Sequence, residues 1–491
     1  MAAQITVRNA LEVSGASKEL VRALKDATTH SNPEYGKKRA MGHWVGNTPR
    51  RVATWDDAGG VLRLPRGAAG RVRDAAATLG ERVVFRDARV SCPATWPPFV
   101  PDPDDLAVGM RPYQLRAEDA CVQIEQGIVR APTGSGKTHV ALRAFARIGQ
   151  RTLVIVRDRQ LLEQWLRKAR KHLGMNAKQI GVVQGSKRQR VGDCLTLALQ
   201  QTLWARGFPL AAFAQQFGCV AVDEVHGAAA RTVQTTIAAF PARYRLGFSA
   251  DETRKDRKEF LVYDLFGGVI YEVTREEIER DGYTCPVIVR LVPTDFAANW
   301  YRDAPPEERD FGRLVDEMIA DEQRGVLLRR VILELVQEGD VPALVFTHRR
   351  EHASRLSTDL LADGVSCGLM MGGEESAATF AEARDLLERG KLLVAVGTFN
   401  AIGQGIDVPG LRAGVVGTPL GMNRQFFGQV RGRICRAAPG KAFGHLYYLW
   451  DREVFPRAPR NLIDWNDGRV EIFDRARSKW IDADEEGDPA W

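Results

Sequence analysis

Two glycines and a lysine near residue 135 form a loop that can bind phosphate. Residues 131–138 read Ala-Pro-Thr-Gly-Ser-Gly-Lys-Thr and lie between an apolar run and a helical pattern. Glycines let backbone N–H groups approach a polyphosphate, and a helix N-terminus favours negative charge. In such a loop the lysine neutralises the β- and γ-phosphate oxygens, and the hydroxyl that follows it binds Mg²⁺. The pattern predicts a nucleotide site made by Pro132, Thr133, Gly134, Ser135, Gly136, Lys137 and Thr138.

An acidic pair, Asp223 and Glu224, follows an apolar run further along the chain. An isolated acidic pair is usually a solvated strand end. Behind a buried strand and downstream of a phosphate loop, Asp223 is positioned to bind the same metal as Thr138, and Glu224 to polarise the attacking water. We therefore predict Asp223 as a metal ligand and Glu224 as the general base. His226 is predicted to relay a hydrogen bond between the nucleotide and Ser249, although a loop histidine is the simpler alternative.

A third cluster, residues 429–436, reads Gln-Val-Arg-Gly-Arg-Ile-Cys-Arg. Arg433 and Arg436 are three positions apart, which on a helix places them on one face. A guanidinium spreads the charge that develops on a transferring phosphoryl group, and lysine is a poor substitute for its planar fork. An arginine-rich helix is otherwise a solvated or phosphate-binding surface. We predict Arg433 and Arg436 as catalytic and Gln429 as nucleotide-binding.

Short apolar runs alternate with helical stretches along most of the chain, which is typical of parallel α/β sheets. A first series of runs spans 128–131, 152–156, 219–222 and 245–248, and a second spans 343–346, 368–371, 392–396, 414–416 and 446–450. Open α/β sheets bind ligands at the carboxyl ends of their strands, which is where the clusters lie. Because the lysine loop occurs in the first series alone, we predict two α/β domains that share one nucleotide site.

The bulk composition sets the class of protein. A chain of 491 residues is too long for one core, and 44% hydrophobic with 27% charged residues is a soluble composition. Seven scattered cysteines without a Cys-x-x-Cys pair argue against a zinc ribbon and a disulfide framework. No apolar stretch approaches the ~20 residues that span a bilayer, and no secretory signal is expected, so we predict a cytoplasmic protein.

Basic charge is concentrated at the front of the chain. Residues 1–90 hold 16 Lys/Arg and 9 Asp/Glu, an excess equal to the +7 of the whole chain. A proline-rich stretch follows, so residues 1–105 are predicted to be a basic accessory domain with a linker. The basic runs 37–39 and 50–51 and the pair Arg71 and Arg73 favour nucleic-acid contact over simple packing. The acidic end of the chain is expected to be a solvated tail.

Further motifs extend the pattern to residues 106–452. Arg111-Pro112-Tyr113-Gln114 precedes the phosphate loop, and Leu246-Gly247-Phe248-Ser249-Ala250 follows the acidic pair. The second series contains 344–349 (Leu-Val-Phe-Thr-His-Arg) and 403–408 (Gly-Gln-Gly-Ile-Asp-Val). In this order the motifs resemble a superfamily 2 helicase of the Asp-Glu-x-His class, within the group that includes XPB, RadD and phage UvsW.

This resemblance implies tandem RecA-like domains at 106–287 and 288–455, followed by an extension at 456–491. It implies further roles for residues at the family's motif positions. Arg111, Gln114 and Asp407 would bind the nucleotide; Ser249 with His226 would couple hydrolysis to movement; and nucleic-acid phosphates would be contacted by Thr202, Thr347 and Thr398. Asp251 stands where the family has threonine, which departs from its coupling element.

The resemblance implies an enzyme that uses ATP and Mg²⁺ to move along nucleic acid. The expected function is an ATP-dependent DNA helicase or translocase acting on duplex or branched DNA in repair or recombination. Its partners would be single-stranded, forked or junction DNA, with RNA and other repair or defence proteins as further candidates. An RNA helicase and the motor subunit of a restriction or defence complex remain alternatives. A nucleic-acid clamp that only switches with ATP is disfavoured by Glu224 and Arg436.

Overall fold

The computed structural model describes residues 2–101, 109–132, 135–186, 188–225, 231–250, 257–280, 283–373, 375–402, 408, 410–419, 424–438, 440–466 and 469–483. They form two compact units, residues 1–274 and 275–491. Within the described ranges, no helix has both the length and the apolar character needed to cross a membrane. Four predicted site residues, Thr133, Gly134, His226 and Asp407, lie outside those ranges, as do Asp251 and the acidic end at 484–491.

The front of the first unit is built on a four-stranded sheet in the order β5-β2-β1-β6, with β3 and β4 forming a separate antiparallel pair. Apolar side chains alternate along β1 and β2, so one face of this sheet covers a small core. The hydroxyl of Ser17 accepts a hydrogen bond from Leu20 N over 3.0 Å and starts the first helix. The elements are β1 (Ala3–Val7), β2 (Leu11–Ser14), α1 (Lys18–Ala27), β3 (Thr29–Ser31), α2 (Pro33–Ala40), β4 (Arg51–Ala53), β5 (Leu62–Leu64), α3 (Ala69–Thr78) and β6 (Val83–Asp87).

An eight-stranded sheet forms the rest of the first unit, in the order β10-β9-β11-β8-β12-β13-β7-β14. All its pairings are parallel except that of β10 with β9. Its elements are α4 (Pro112–Ile124), β7 (Gln126–Arg130), α5 (Lys137–Ile148), β8 (Thr152–Val156), α6 (Arg159–Leu173), β9 (Ile180–Gln184), β10 (Arg188–Arg190), β11 (Leu195–Leu199), α7 (Gln200–Leu203), α8 (Leu210–Ala214), β12 (Cys219–Asp223), α9 (Arg231–Ala238), β13 (Tyr244–Ser249), α10 (Glu259–Phe266) and β14 (Val269–Glu272).

The strand order of this sheet places the predicted motifs side by side. Strand β13 lies between β12 and β7, with Asp223 paired to Phe248 and Ser249 paired to Arg130. Since the three strands are parallel, their carboxyl ends share one edge of the sheet. The phosphate loop, the acidic pair and Ser249 therefore meet at that edge, as open α/β sheets require of a ligand site.

The second unit also contains an eight-stranded sheet, in the order β17-β18-β16-β19-β20-β15-β21-β22, with β22 antiparallel to β21 and the other pairings parallel. The α/β fold with two parallel sheets is confirmed. Its elements are α11 (Arg275–Arg280), β15 (Val287–Thr294), α12 (Asn299–Arg302), α13 (Phe311–Ala320), α14 (Glu322–Gln337), β16 (Ala343–Thr347), α15 (Arg350–Ala362), β17 (Cys367–Met370), α16 (Ala377–Glu388), β18 (Val394–Thr398), α17 (Phe399–Ile402), β19 (Ala413–Val416), α18 (Arg424–Ile434), β20 (Gly444–Asp451), α19 (Ala458–Asn466), β21 (Val470–Asp474) and β22 (Lys479–Asp482).

The accessory region is fixed to the α/β part of the first unit by buried polar contacts. Arg66, only 2% exposed, donates hydrogen bonds to the carbonyl oxygens of Ala242 over 2.6 Å and Arg243 over 3.1 Å. Asp264 of α10 is 3% exposed and accepts hydrogen bonds from Thr54 and Arg71. The expectation that Arg71 is available for phosphate contact is wrong, because its guanidinium is engaged by this buried carboxylate.

The proline-rich stretch packs on the same unit as far as the structure describes it. Ala94 N donates to Gly149 O over 2.9 Å, and Val100 N donates to His172 O over 2.8 Å. The indole of Trp96 donates to Gln150 O over 2.9 Å. Residues 92–101 therefore run along the surface of the α/β part and are bonded to it at several points. All seven cysteines are free thiols.

Candidate nucleotide-binding site

The phosphate loop begins where β7 ends and leads into helix α5 at Lys137. Gly136 has a φ of +84°, a left-handed conformation that favours glycine. A Cβ atom at this position would come within 2.3 Å of Gln114 Nε2. The loop thus passes so close to α4 that a side chain at position 136 would displace the amide of Gln114. This cradle and the N-terminus of a 12-residue helix fit a polyphosphate.

Helix α4 supports the loop through two side chains. Gln114 Nε2 and the hydroxyl of Tyr113 each donate a hydrogen bond to Ser135 O over 2.9 Å. Arg111 completes the group: its backbone N–H donates to Gln114 Oε1 over 3.0 Å, and its guanidinium donates to the Tyr113 hydroxyl over 2.8 Å. Sequence reasoning named Arg111 and Gln114 but missed Tyr113, although it lies inside the same motif. In this conformation these residues shape the loop, and their contact with a nucleotide remains a prediction.

Lys137 extends over the start of the loop. Its ammonium donates to Ala131 O over 2.9 Å and to Pro132 O over 3.4 Å. These carbonyl contacts hold a positive charge at the mouth of the cradle, where phosphate oxygens can compete for the same donor. Thr138 follows in the first turn of α5 and is partly exposed. Lys137 and Thr138 are thus the first two residues of the helix, and their binding of phosphate and metal is a prediction.

The carboxylate of Asp223 is held at the end of β12 by two donors. The indole of Trp165 donates to Oδ2 over 2.8 Å, and Glu224 N donates to Oδ1 over 3.0 Å. Burial and the neighbouring charge of Glu224 raise the pKa of Asp223 to about 6, while the Trp165 bond and the Lys137 charge act in the opposite direction. A partly buried carboxylate with a raised pKa gains stability from a bound cation, so its chemistry fits Mg²⁺.

Trp165 lies on helix α6, and sequence reasoning did not name it as a site residue. It is 1% exposed and packs in the core beside Phe145, with ring centroids 6.3 Å apart. Its role here is to orient Asp223. The spacing of the helix face that carries it indicated burial, but no signal in the sequence paired an indole with that carboxylate.

Glu224 stands in an unusual backbone conformation. Its φ is +54°, which is uncommon for a residue with a side chain and concentrates at functional sites. Ser249 is fully buried at the end of β13, and its carbonyl accepts a hydrogen bond from Ala131 N over 2.9 Å. The backbone of the predicted coupling residue is thereby bonded to the start of the phosphate loop.

In the second unit, helix α18 carries the arginine cluster but ends at Ile434. Arg433 lies in its last turn and is 8% exposed, whereas Arg436 lies beyond the helix in an antiparallel bridge with Thr284. The prediction that both arginines share one helical face is therefore wrong. Beyond the helix, Cys435 and Arg436 are held by backbone pairing with Cys285 and Thr284. Gln429 is half-buried on the helix.

A lysine that sequence reasoning missed holds the end of this helix. Lys441 is 8% exposed, and its ammonium donates to Arg436 O over 2.9 Å, to Leu411 O over 2.6 Å and to Ile434 O. Burial lowers the pKa of Lys441 below its usual value. A cation on the carbonyl groups at a helix C-terminus satisfies them and complements the helix dipole.

The three threonines predicted to contact nucleic acid differ in their surroundings. Thr202 is 5% exposed and its hydroxyl accepts a hydrogen bond from Gly185 N over 2.9 Å. Thr347 is fully buried, with its hydroxyl 2.7 Å from His352 Nδ1. Thr398 pairs with Thr347 across β18 and β16 and is partly exposed. A phosphate contact through Thr347 would require its hydroxyl to leave that histidine.

The chain is similar to several known proteins. The family model described as Type III restriction enzyme, res subunit, matches residues 107–253. Rad25 of Halobacterium salinarum, whose name describes a DNA 3'-5' helicase, is 30% identical over 336 residues, covering 68% of this chain and 53% of Rad25. The DNA 3'-5' helicase XPB of Mycobacterium tuberculosis is 31% identical over 206 residues, covering 41% of this chain and 37% of XPB. The chain resembles the superfamily 2 helicases of the XPB group.

Solved structures support the fold. A fragment assigned to the HsdR subunit of a type I restriction enzyme from Vibrio vulnificus YJ016 has a TM-score of 0.55 at 16% identity, covering 75% of this chain and 69% of that one. At this identity the likeness concerns the fold alone, and it confirms the tandem RecA-like architecture. The chain spans about half the length of Rad25 and a smaller share of XPB.

Proposed function

We propose that this chain is an ATP-dependent DNA helicase or translocase that acts on duplex or branched DNA. The observation that carries the proposal is the common sheet edge at which Lys137, on its glycine loop, lies near Asp223, a carboxylate with a raised pKa. Phosphoryl-transfer sites need a fixed cation for the phosphates and a carboxylate for the metal. The DNA helicase names of the related Rad25 and XPB proteins support DNA as the substrate.

The proposed reaction is hydrolysis of the terminal phosphoanhydride of ATP. Lys137 binds phosphate oxygens, and Glu224 accepts the proton of the water whose oxygen attacks the γ-phosphorus. The bond from that phosphorus to the bridging oxygen breaks, and ADP leaves. Mg²⁺, held by Thr138 and Asp223, would neutralise charge on the β- and γ-phosphates. Among the described residues, no group of three or more His, Cys, Asp or Glu side chains is arranged to hold a metal ion.

The other predicted site residues complete the proposal. Arg433 and Arg436 stabilise charge on the transferring phosphoryl group, and Ser249 with His226 couples hydrolysis to movement. The nucleotide is further bound by Pro132, Thr133, Gly134, Ser135, Gly136, Arg111, Gln114, Asp407 and Gln429. Strand phosphates are contacted by Thr202, Thr347 and Thr398, which makes binding largely independent of base sequence. Free, mostly buried thiols suit a reducing compartment, so we place the protein in the cytoplasm.

One comparison of ATPase rates tests the function. Hydrolysis is measured alone and with single-stranded DNA, forked DNA, a four-way junction and RNA of matched length. We expect the DNA substrates to stimulate hydrolysis more than RNA does, and stronger stimulation by RNA would refute the assignment to DNA. Glu224→Gln removes the base while preserving shape, so it should lower turnover by about 10²- to 10⁴-fold and leave DNA binding measurable. Undiminished turnover in this variant would refute the site.

Strand displacement separates a helicase from a pure translocase. Release of a labelled strand from a fork reports unwinding, whereas displacement of a triplex-forming strand reports translocation along duplex. Triplex displacement without unwinding would favour the alternative of a motor subunit in a restriction or defence complex, and the matching family is described as a restriction-enzyme subunit.

A further inference from the structure

Residues 29–53 leave the four-stranded sheet of the accessory region as a separate basic module. Strands β3 and β4 pair antiparallel, with helix α2 and the loop 41–50 between them. We call this loop the Trp44 loop. Its backbone is tied to the module: Asn32 Nδ2 donates to Pro49 O over 2.8 Å, and Lys38 Nζ donates to the Thr48 hydroxyl over 2.8 Å. These bonds give the loop a fixed conformation and reduce the entropy that it would lose on binding.

Trp44 at the tip of the loop is 88% exposed, more than the other exposed large apolar side chains of the described residues. One face of its indole lies over Gly46, where an added Cβ would be 2.9 Å from ring atom Cζ3. The exposure leaves the opposite face open to solvent. A large aromatic ring in water is unfavourable unless it serves a contact, and tryptophan is a preferred residue for stacking and interfaces.

The module carries a strong excess of positive charge. Residues 29–53 contain five Lys/Arg and one glutamate. That glutamate, Glu34, already pairs with Lys38 and Lys258, each over 3.2 Å. Within the described ranges, no carboxylate lies at ion-pair distance from Lys37, Arg39 or Arg50. Charges of this kind in the same module as an open aromatic ring complement a polyanion with planar bases.

The module is anchored on the α/β part that carries the phosphate loop. The ring of His30 in β3 stacks on Phe260 of α10 with centroids 4.4 Å apart, and its Nε2 lies 2.9 Å from Asp264 Oδ2. Helix α10 follows β13, the strand that ends at Ser249. Trp44 therefore has a fixed place on the same unit as the nucleotide site.

We propose that the Trp44 loop is a nucleic-acid binding site in which an unpaired base stacks on the open face of the Trp44 indole while Lys37, Arg39 and Arg50 bind the adjoining backbone phosphates. The inference rests on the proposed function and adds a contact outside the helicase motifs. It predicts a preference for single strands and forks over blunt duplex, since paired bases inside a duplex cannot stack on a protein ring. Stacking tolerates every base, so the site would not read sequence.

Equilibrium binding to the full-length chain without ATP tests the site. The probe is a labelled thymidine strand of about 20 nucleotides, longer than one typical binding site. Trp44→Ala should weaken binding of this strand about tenfold, while Trp44→Phe, which keeps a planar ring, should stay within about threefold. Leu79→Ala, an exposed apolar residue of the same region, is the matched control and should bind as the unaltered protein does.

Blunt duplex and an RNA strand of equal length complete the test. Blunt duplex should bind the Trp44→Ala variant as tightly as it binds the unaltered chain. If stacking is the interaction, Trp44→Ala should weaken binding of the RNA strand as much as it weakens binding of the DNA strand. Equal losses on duplex and single strand, or no loss on either, would overturn the proposal. A surface that instead binds protein would leave all nucleic-acid affinities unchanged in this variant.

Salt dependence tests the phosphate contacts independently. Replacing Lys37, Arg39 and Arg50 by glutamine should reduce the slope of log affinity against log salt by about 2, since each single-strand phosphate contact contributes about 0.7. The control replaces Lys18, Arg22 and Arg82, which are exposed basic residues elsewhere in the accessory region, and its slope should not change. An unchanged slope in the first variant would reject these residues as phosphate ligands.

ATP hydrolysis without nucleic acid separates this inference from the proposed function. Basal hydrolysis should be equal in the Trp44 variants and the unaltered chain, because the loop is not part of the phosphate site. An inactive chain that still loses strand affinity in Trp44→Ala would refute the ATPase and retain the loop site. An active chain whose strand affinity is unaltered in Trp44→Ala would support the ATPase and refute the loop site.

Discussion

The indole nitrogen of Trp165 donates a hydrogen bond to Asp223 Oδ2 over 2.8 Å, joining the core of the first sheet to its predicted metal ligand. Trp165 is 1% exposed, so the donor cannot be replaced by water without a rearrangement of the core. The bond lowers the pKa of a carboxyl that burial has raised to about 6. Helix α6 thereby contributes to keeping Asp223 ionised near neutral pH.

Replacing Trp165 by phenylalanine should move the acid limb of the ATPase to higher pH. Loss of the donor raises the pKa of Asp223, by about one unit for a contribution near 1.4 kcal/mol. Because the ionised carboxylate is proposed to bind the metal, we expect kcat/KM to fall as the pH drops through this pKa, which starts at about 6. The measurement is kcat/KM for ATP against pH. The control is Trp96→Phe, which removes an indole hydrogen bond to Gln150 O. An equal shift of the acid limb in this control would contradict the role assigned to Trp165.

Gly136→Ala should weaken nucleotide binding. The new Cβ would lie 2.3 Å from Gln114 Nε2, so the amide must leave Ser135 O, and the φ of +84° adds backbone strain of about 1 kcal/mol. We expect KM for ATP to rise about tenfold, as one supporting hydrogen bond to the loop is lost. Gly174→Ala has a similar φ of +58° with open space around it. Gly174→Ala should lower the stability of the protein without changing KM for ATP. A comparable rise in KM for ATP in this control would exclude the steric explanation.

Lys441→Met should lower kcat more than it changes KM. The ammonium holds the carbonyl oxygens of Ile434 and Arg436, so its removal frees the end of α18 and the arginine that follows it. Because Arg436 is proposed to stabilise charge on the transferring phosphoryl group, its displacement should cost turnover, and we expect a loss of about tenfold to a hundredfold. Lys441→Arg should restore part of the activity, because it keeps a buried donor. A loss of thermal stability with unaltered kcat would show that Lys441 is structural alone.

Asp264→Asn should loosen the accessory region from the α/β part. Burial raises the pKa of this carboxyl, but hydrogen bonds from His30 and Thr54 and the charge of Arg71 outweigh it, so the net pKa is below the ordinary 3.8. Its stabilising contribution is therefore present above the unfolded pKa and is lost as the pH falls through the folded one. We expect a loss of about 3 kcal/mol, read from the urea midpoint. Asp57→Asn, whose carboxylate is 52% exposed, should cost less than about 0.5 kcal/mol.

The strands and their ligand-binding ends were predictable because they depend on local pattern. Residues 152–156 are the apolar run Thr-Leu-Val-Ile-Val, and they form β8 with the predicted bounds. The run at 343–346 extends by one residue to Thr347, since the ladder with β18 continues to that threonine. A buried parallel strand requires apolar residues on both faces, so composition alone identifies it.

The supporting side chains were not predictable in the same way. Tyr113, Trp165 and Lys441 each hold a predicted site residue from a different element. Tyrosine and tryptophan at helical spacing indicate a core face, and a lone lysine indicates a surface. Which polar atom each one reaches depends on how helices lie over the sheet, and that is a property of packing.

Residue types and spacing by themselves determined the α/β class, the phosphate loop and the acidic pair, because glycine, lysine and paired carboxylates have few chemical alternatives at strand ends. Tertiary structure alone decided that Arg71 serves a buried carboxylate instead of a phosphate and that Arg436 lies outside its helix. An arginine is equally suited to solvent, phosphate or carboxylate. Its partner is selected by the groups that folding brings within hydrogen-bond distance, and sequence separation does not encode that distance.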